Sequence, residues 1–123
     1  MQLSELYRRG VVVPLDQVAA AQLRAGAVES SARVDYAELA SESDFAWLWT
    51  QGFFARIGEH AGLELSDYEE QELPPAAAPF VADVAAELAR RADAPVGAQS
   101  FLAKLASTCR LAANERQPLF FVL

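Results

Sequence analysis

Five carboxylates, Glu64, Asp67, Glu69, Glu70 and Glu72, fall within nine positions of the stretch GLELSDYEEQELPP, with Tyr68 as its single aromatic. Acids at that density can hold a hard cation, act as an acid–base pair, or attract a basic surface. The spacing Asp-x-Asp-x-Asp-Gly of a calcium loop is missing, and DYEEQE contains no glycine. No Glu-x-x-His pair occurs, so a helical di-iron site has no support. One His and one Cys are too few for zinc. No metal and no cofactor are therefore expected. A paired-carboxylate hydrolase depends on a separation in space, which spacing along the chain does not reveal. His60, in GEHAG, is the only histidine; it reads either as a general base or as a surface residue near a helix end. Cys109 lies four residues after Leu105 on an apolar stripe, so its thiol is expected to be buried, protonated and inert. There is no glycine-rich phosphate loop, no GxSxG and no CxxC. No catalytic residue is assigned.

The acids are also unevenly placed. From position 57 to position 89 there is no Lys or Arg, while Glu59, Glu64, Asp67, Glu69, Glu70, Glu72, Asp83 and Glu87 are all acidic. Those eight of the 17 acids leave nine against ten bases elsewhere, so the net charge of −7 is concentrated in one contiguous stretch. A focused negative field disfavours nucleic acid, which needs clustered bases on its phosphates, and favours encounter with a basic protein. Close like charges repel in the free protein, and a basic partner would neutralise them.

The elements that must position these residues follow from periodicity. At 123 residues, 53% hydrophobic and 22% charged, the chain has the length and composition of one globular domain, residues 1–123. No apolar run reaches membrane-spanning length, and MQLSELYRRGVVVPL does not read as a signal peptide, so a cytoplasmic protein is expected. Arg far outnumbers Lys and Ala is abundant, the composition of a GC-rich bacterial source. Val11–Leu15 reads as a short strand that Pro14 confines to an edge or strand end. Asp16 caps a helix over 17–24 that Gly26 ends. Residues 29–36 read as loop or a short strand.

In DFAWLWTQGFFARIGEHAG, Phe45, Leu48, Trp49, Phe53 and Ile57 form one helical stripe, and Trp47 and Phe54 form a second face. One helix, capped by Ser41 and ended by Gly58 or Gly62, would then be apolar on two sides. Such a helix is either packed on both or presents aromatics to a partner. Residues 62–75 read as an acidic loop. Phe80, Val81, Val84, Leu88 and Ala92 mark a helix ending near Arg90 and Arg91, and a last helix spans about 99–113. The closing LFFVL reads as a buried strand that pairs with Val11–Val13. The expected fold is α+β and mostly helical: about four helices with a small sheet made by the N- and C-terminal strands.

The same residues support two functional readings. In the first, Glu64, Asp67, Tyr68, Glu69, Glu70 and Glu72 form an anionic patch around one aromatic anchor, with Trp47 and Phe54 exposed nearby, and bind a basic protein. In the second, His60 and the Glu64–Glu72 carboxylates line the pocket of a small enzyme or ligand-binding domain. A homodimer burying the second aromatic face is a further outcome. In overall character, through DFAWLWTQGFFARIGEHAG, DYEEQEL and the closing PLFFVL, the chain resembles the immunity proteins of bacterial polymorphic-toxin systems. Those proteins typically bind one toxin domain and block its active site, often setting acids against a basic cleft. The resemblance implies an antitoxin role, with Tyr68 and its neighbouring acids facing the toxin.

Overall fold

The computed structural model describes residues 3–67 and 69–123. After a 3-10 turn (Leu3–Glu5), the elements are β1 (Gly10–Pro14), α1 (Gln17–Ala25), β2 (Val34–Glu38), α2 (Glu42–Thr50), α3 (Phe53–Ala61) and β3 (Glu70–Leu73). A second 3-10 turn (Pro75–Ala77) leads into α4 (Ala78–Ala89), α5 (Val96–Glu115) and β4 (Leu119–Val122). The fold is mixed α+β and mostly helical, as the periodicity predicts.

The four strands form one antiparallel sheet in the order β2-β1-β4-β3. At its centre lies the predicted pairing of the two terminal strands, with Val11 opposite Phe121 and Val12 opposite Phe120. Pro14 sits at the end of β1, beyond the residues that pair with β4. The sheet is larger than expected on both sides. Val34–Glu38 adds to β1, and Glu70–Leu73, read from sequence as loop, adds to β4. The segment EQEL has poor strand propensity. Its pairing with the apolar LFFV and the burial of Leu73 override that preference.

Strand alternation divides the apolar residues between the two faces. Val11, Val13, Ala37, Leu73, Leu119 and Phe121 join the main core with α2, α3, α4 and α5. Val12, Phe120 and Val122 face the other way, onto Leu3 of the first 3-10 turn and Leu23 of α1. Asp16 caps α1 by accepting from the Ala19 amide at 2.8 Å. The six-residue link between α4 and α5 makes them close neighbours, and α5 lies across β1 and β2.

The largest departure from the sequence reading is at Gly52. The single helix predicted there is two, α2 and α3. Gly52 between them has φ 75° and ψ 19°, a left-handed conformation that side chains resist and glycine adopts freely. The break resets the helical phase. Phe45, Leu48, Phe53 and Ile57 are buried as their stripe predicts, but so is Phe54, while Trp49 turns outward.

Candidate partner-binding surface

The acidic stretch proves to be anchored by arginines from distant parts of the chain. Arg9, just before β1, extends its Nη2 to 2.5 Å from Asp67 Oδ1 and its Nη1 to 2.7 Å from Glu42 Oε1. Its guanidinium carbon lies 3.7 Å from the centroid of the Phe45 ring, and the side chain is only 12% exposed. Glu72 receives the fork of Arg24 from α1, Nε at 3.0 Å and Nη2 at 2.9 Å. Glu70 accepts the backbone N–H of Leu3 at 2.6 Å. Glu87, on α4, pairs with Arg56 of α3 at 2.5 Å. That bond, and then the nearby guanidinium charge, hold the Glu87 carboxyl below its ordinary range.

This arrangement corrects the charge argument. The base-free window is not a block of unneutralised acids, because arginines outside it or at its margin fold back onto Asp67, Glu72 and Glu87. Glu59, Glu64, Glu69 and Asp83 have no Lys or Arg within ion-pairing distance among the described residues, and all four are exposed. Of the predicted site acids, Glu64 and Glu69 therefore have no basic partner among the described residues, although Glu69 accepts from the Gln71 side-chain amide at 3.5 Å; Asp67 is half-buried and paired, Glu72 is exposed and paired, and Glu70 ties the N-terminal turn to β3. Tyr68, the predicted anchor, lies outside the described residues.

The aromatic assignments change as well. Phe54 is 2% exposed and belongs to the core, so it is not a surface contact. Trp47 is half-buried and packs against the main core instead of projecting from it. Among the described residues the exposed aromatic is Trp49, at 49%. Its ring lies 5.9 Å from that of Phe45 and 5.7 Å from that of Phe54, and Phe45 and Phe54 are 5.3 Å apart. Trp49 thus caps a buried aromatic pair, Phe45 and Phe54, and Arg9 lies on the Phe45 ring. Direct contacts run from Trp49 through Phe45 and Arg9 to Asp67 and Glu42. The sequence signal for this surface was Gly52: read as a helix stop, it removes Trp49 from the stripe continued by Phe53 and Ile57.

His60 does not meet the acidic stretch. Its ring stacks on Phe80, centroids 4.0 Å apart and planes 6° from parallel. The shallow hollow beside it, about 410 Å³, is lined by Arg56, Glu59, His60 and Phe80, and by none of the carboxylates from Glu64 to Glu72. Among the described residues, the hollow at His60 is thus not lined by the carboxylates that the enzyme reading pairs with it. Cys109 is 1% exposed, and burial pushes its thiol pKa up to about 12, so it is protonated at neutral pH. Among the described residues no three His, Cys, Asp or Glu side chains converge as a metal site would require, and no helix is long and apolar enough to cross a membrane. Comparison with protein-family models, with curated proteins and with solved structures found no match.

Proposed function

We propose that this protein binds and neutralises a basic protein domain, as an immunity protein does for its toxin. The observation that carries the reading is the exposed Trp49, packed on Phe45 and Phe54 and linked through Arg9 to Asp67, with Glu64 and Glu69 lacking a basic partner on the Asp67 segment. An exposed aromatic packed on a buried ring cluster, joined through Arg9 to a segment that carries carboxylates with no base of their own, has the make-up of an interface anchor. The ring supplies desolvated contact area, and the acids steer a basic surface toward it. Trp49 loses little conformational freedom on binding, because two neighbouring rings already hold it. Glu64 and Glu69 have no internal base to give up, so a partner's Lys or Arg meets them without breaking an existing pair. The partner is a basic domain whose active cleft this surface would cover, and no nucleic acid or membrane is required.

The test is capture of partners from the native cell extract at low and high salt, using wild type, Trp49→Ala and the double variant Glu64→Lys/Glu69→Lys. Both substitutions are at exposed positions, and circular dichroism checks that the variants are folded. One dominant basic protein should be retained by wild type. Trp49→Ala should weaken its affinity about thirtyfold, a loss of about 2 kcal/mol, and the double variant should lose it at moderate salt. Retention of no partner by wild type at either salt would overturn the proposal.

A further inference from the structure

We infer that the outer edge of β3 is a docking site for an extended basic segment of the partner, which adds to the sheet as a fifth strand. This rests on the reading above only for the partner's charge; the edge itself is geometric. In an antiparallel ladder, residues alternate between those whose backbone bonds the neighbouring strand and those whose backbone points away from it. The Leu123 amide donates to Glu69 O at 3.0 Å, and Glu70 lies opposite Val122. The bonded positions of β3 are therefore Glu69, Gln71 and Leu73. The N–H and C=O of Glu70 and Glu72 face outward, and no backbone or side-chain group among the described residues pairs with them.

The sheet ends there, and its helix-α1 face is only partly covered. A cleft of about 340 Å³ opens between α1 and β3, lined by Leu3, Leu23, Arg24 and Phe120 together with Glu70 and Glu72. Side chains of an added strand on that face would stand beside Glu70 and Glu72, at the distance of directly opposed pairs, about 4.5–5.5 Å between Cβ atoms. The cleft leaves room for long ones.

Charge selects the occupant. A second copy pairing β3 with β3 would set glutamates against glutamates, which is unfavourable. Lys or Arg at alternate positions would instead meet Glu70 and Glu72. The Arg24–Glu72 pair does not oppose this: both side chains are solvent-accessible, 51% and 38%, and exposed pairs of this kind are weak. The opposite edge, β2, carries mixed charge, with Arg8 beside Glu38 and Lys104 bonded to Asp35, and offers no such selection.

The test is NMR of the intact chain at low salt, titrated with an end-capped peptide of alternating lysine and valine. The control is the same peptide fully N-methylated, with identical charge and no backbone donors. The expected result is shifted signals and slowed exchange at the Glu70 and Glu72 amides, with the N-methylated peptide binding at least about tenfold more weakly. A Glu72→Pro variant removes the Glu72 carboxylate and one outward N–H without touching the β3–β4 ladder, and should bind the unmethylated peptide more weakly than Glu72→Gln, which removes the charge alone; equal binding by the two variants overturns edge docking. Equal affinity for the two peptides, or no effect at the Glu70 and Glu72 amides at millimolar peptide, overturns edge docking. The peptide reads the edge without the native partner. If Glu64→Lys/Glu69→Lys abolishes partner capture while the edge is silent, the acidic surface stands and the added strand falls. If wild type captures nothing but the peptide protects the edge, the reverse holds.

Discussion

Arg9 decides what the acidic stretch is. A guanidinium that is mostly buried must be paired, and Arg9 is paired with two carboxylates and stacked on Phe45. It fastens the segment before β3 to the start of α2 and to the aromatic cluster beneath Trp49. Arg9→Ala should therefore destabilise the fold by about 1–3 kcal/mol, less than a fully buried pair because Asp67 and Glu42 both reach solvent. Arg9→Lys should recover only part of this, since a single ammonium nitrogen lacks the planar fork whose separate nitrogens reach Glu42 and Asp67, and it cannot stack as a plane on Phe45. Urea unfolding with an unchanged slope would measure both; an Arg9→Ala midpoint equal to wild type would remove Arg9 from this role. The candidate site was half legible here. The acids, and the need for a base to offset them, are plain in the sequence. That the base is Arg9, 58 positions from Asp67, is not, because ion pairs of that range leave no trace in local spacing.

The helices and the two terminal strands are legible as elements, since each buries one apolar stripe and that stripe has a period. The elements misread are those for which tertiary contact outweighs local preference. β3 is a strand because β4 offers it a ladder, and the α2–α3 break exists because Gly52 can take a positive φ. Glycines separate these effects in a test. Gly58, inside α3, would place an added Cβ 2.5 Å from the Leu63 carbonyl oxygen, whereas Gly52 has open space around it. Ala at position 58 gains about 1 kcal/mol of helix propensity but must displace backbone, and should be net destabilising by about 1–3 kcal/mol. Ala at position 52 meets only the left-handed strain, about 1–2 kcal/mol. Thermal unfolding of both should rank Gly58→Ala as equal to or worse than Gly52→Ala. A stabilised Gly58→Ala would show that α3 and the segment after it are not in such close contact.

Across the whole molecule, the sheet and the helical layer are tied by Asp35 on β2. It accepts from Lys104 Nζ at 2.9 Å and Thr108 Oγ1 at 2.7 Å, both on α5. Burial pushes the Asp35 pKa up, but the bonds from Lys104 and Thr108 and the lysine's charge outweigh it, so the net shift is downward from 3.8. The sign follows: a carboxyl lowered in the folded state adds stability that is present above its unfolded value and is lost as pH falls through its folded value. Asp35→Asn should lower stability at pH 7 and flatten its fall below about pH 4; unfolding free energies measured from pH 7 to pH 2 would show it, and an unchanged slope would refute it. The sequence by itself determined the helical and strand stripes, the pairing of the chain's first and last strands, the inert cysteine and the size of the negative charge. Each of these depends on residue type and short-range period. Only the tertiary structure decided which acids are free, which aromatic faces water and that His60 stands apart from the carboxylates. Those outcomes depend on Arg9, Arg24 and Arg56 meeting acids 31 to 58 positions away, and on one glycine turning the chain between two helices.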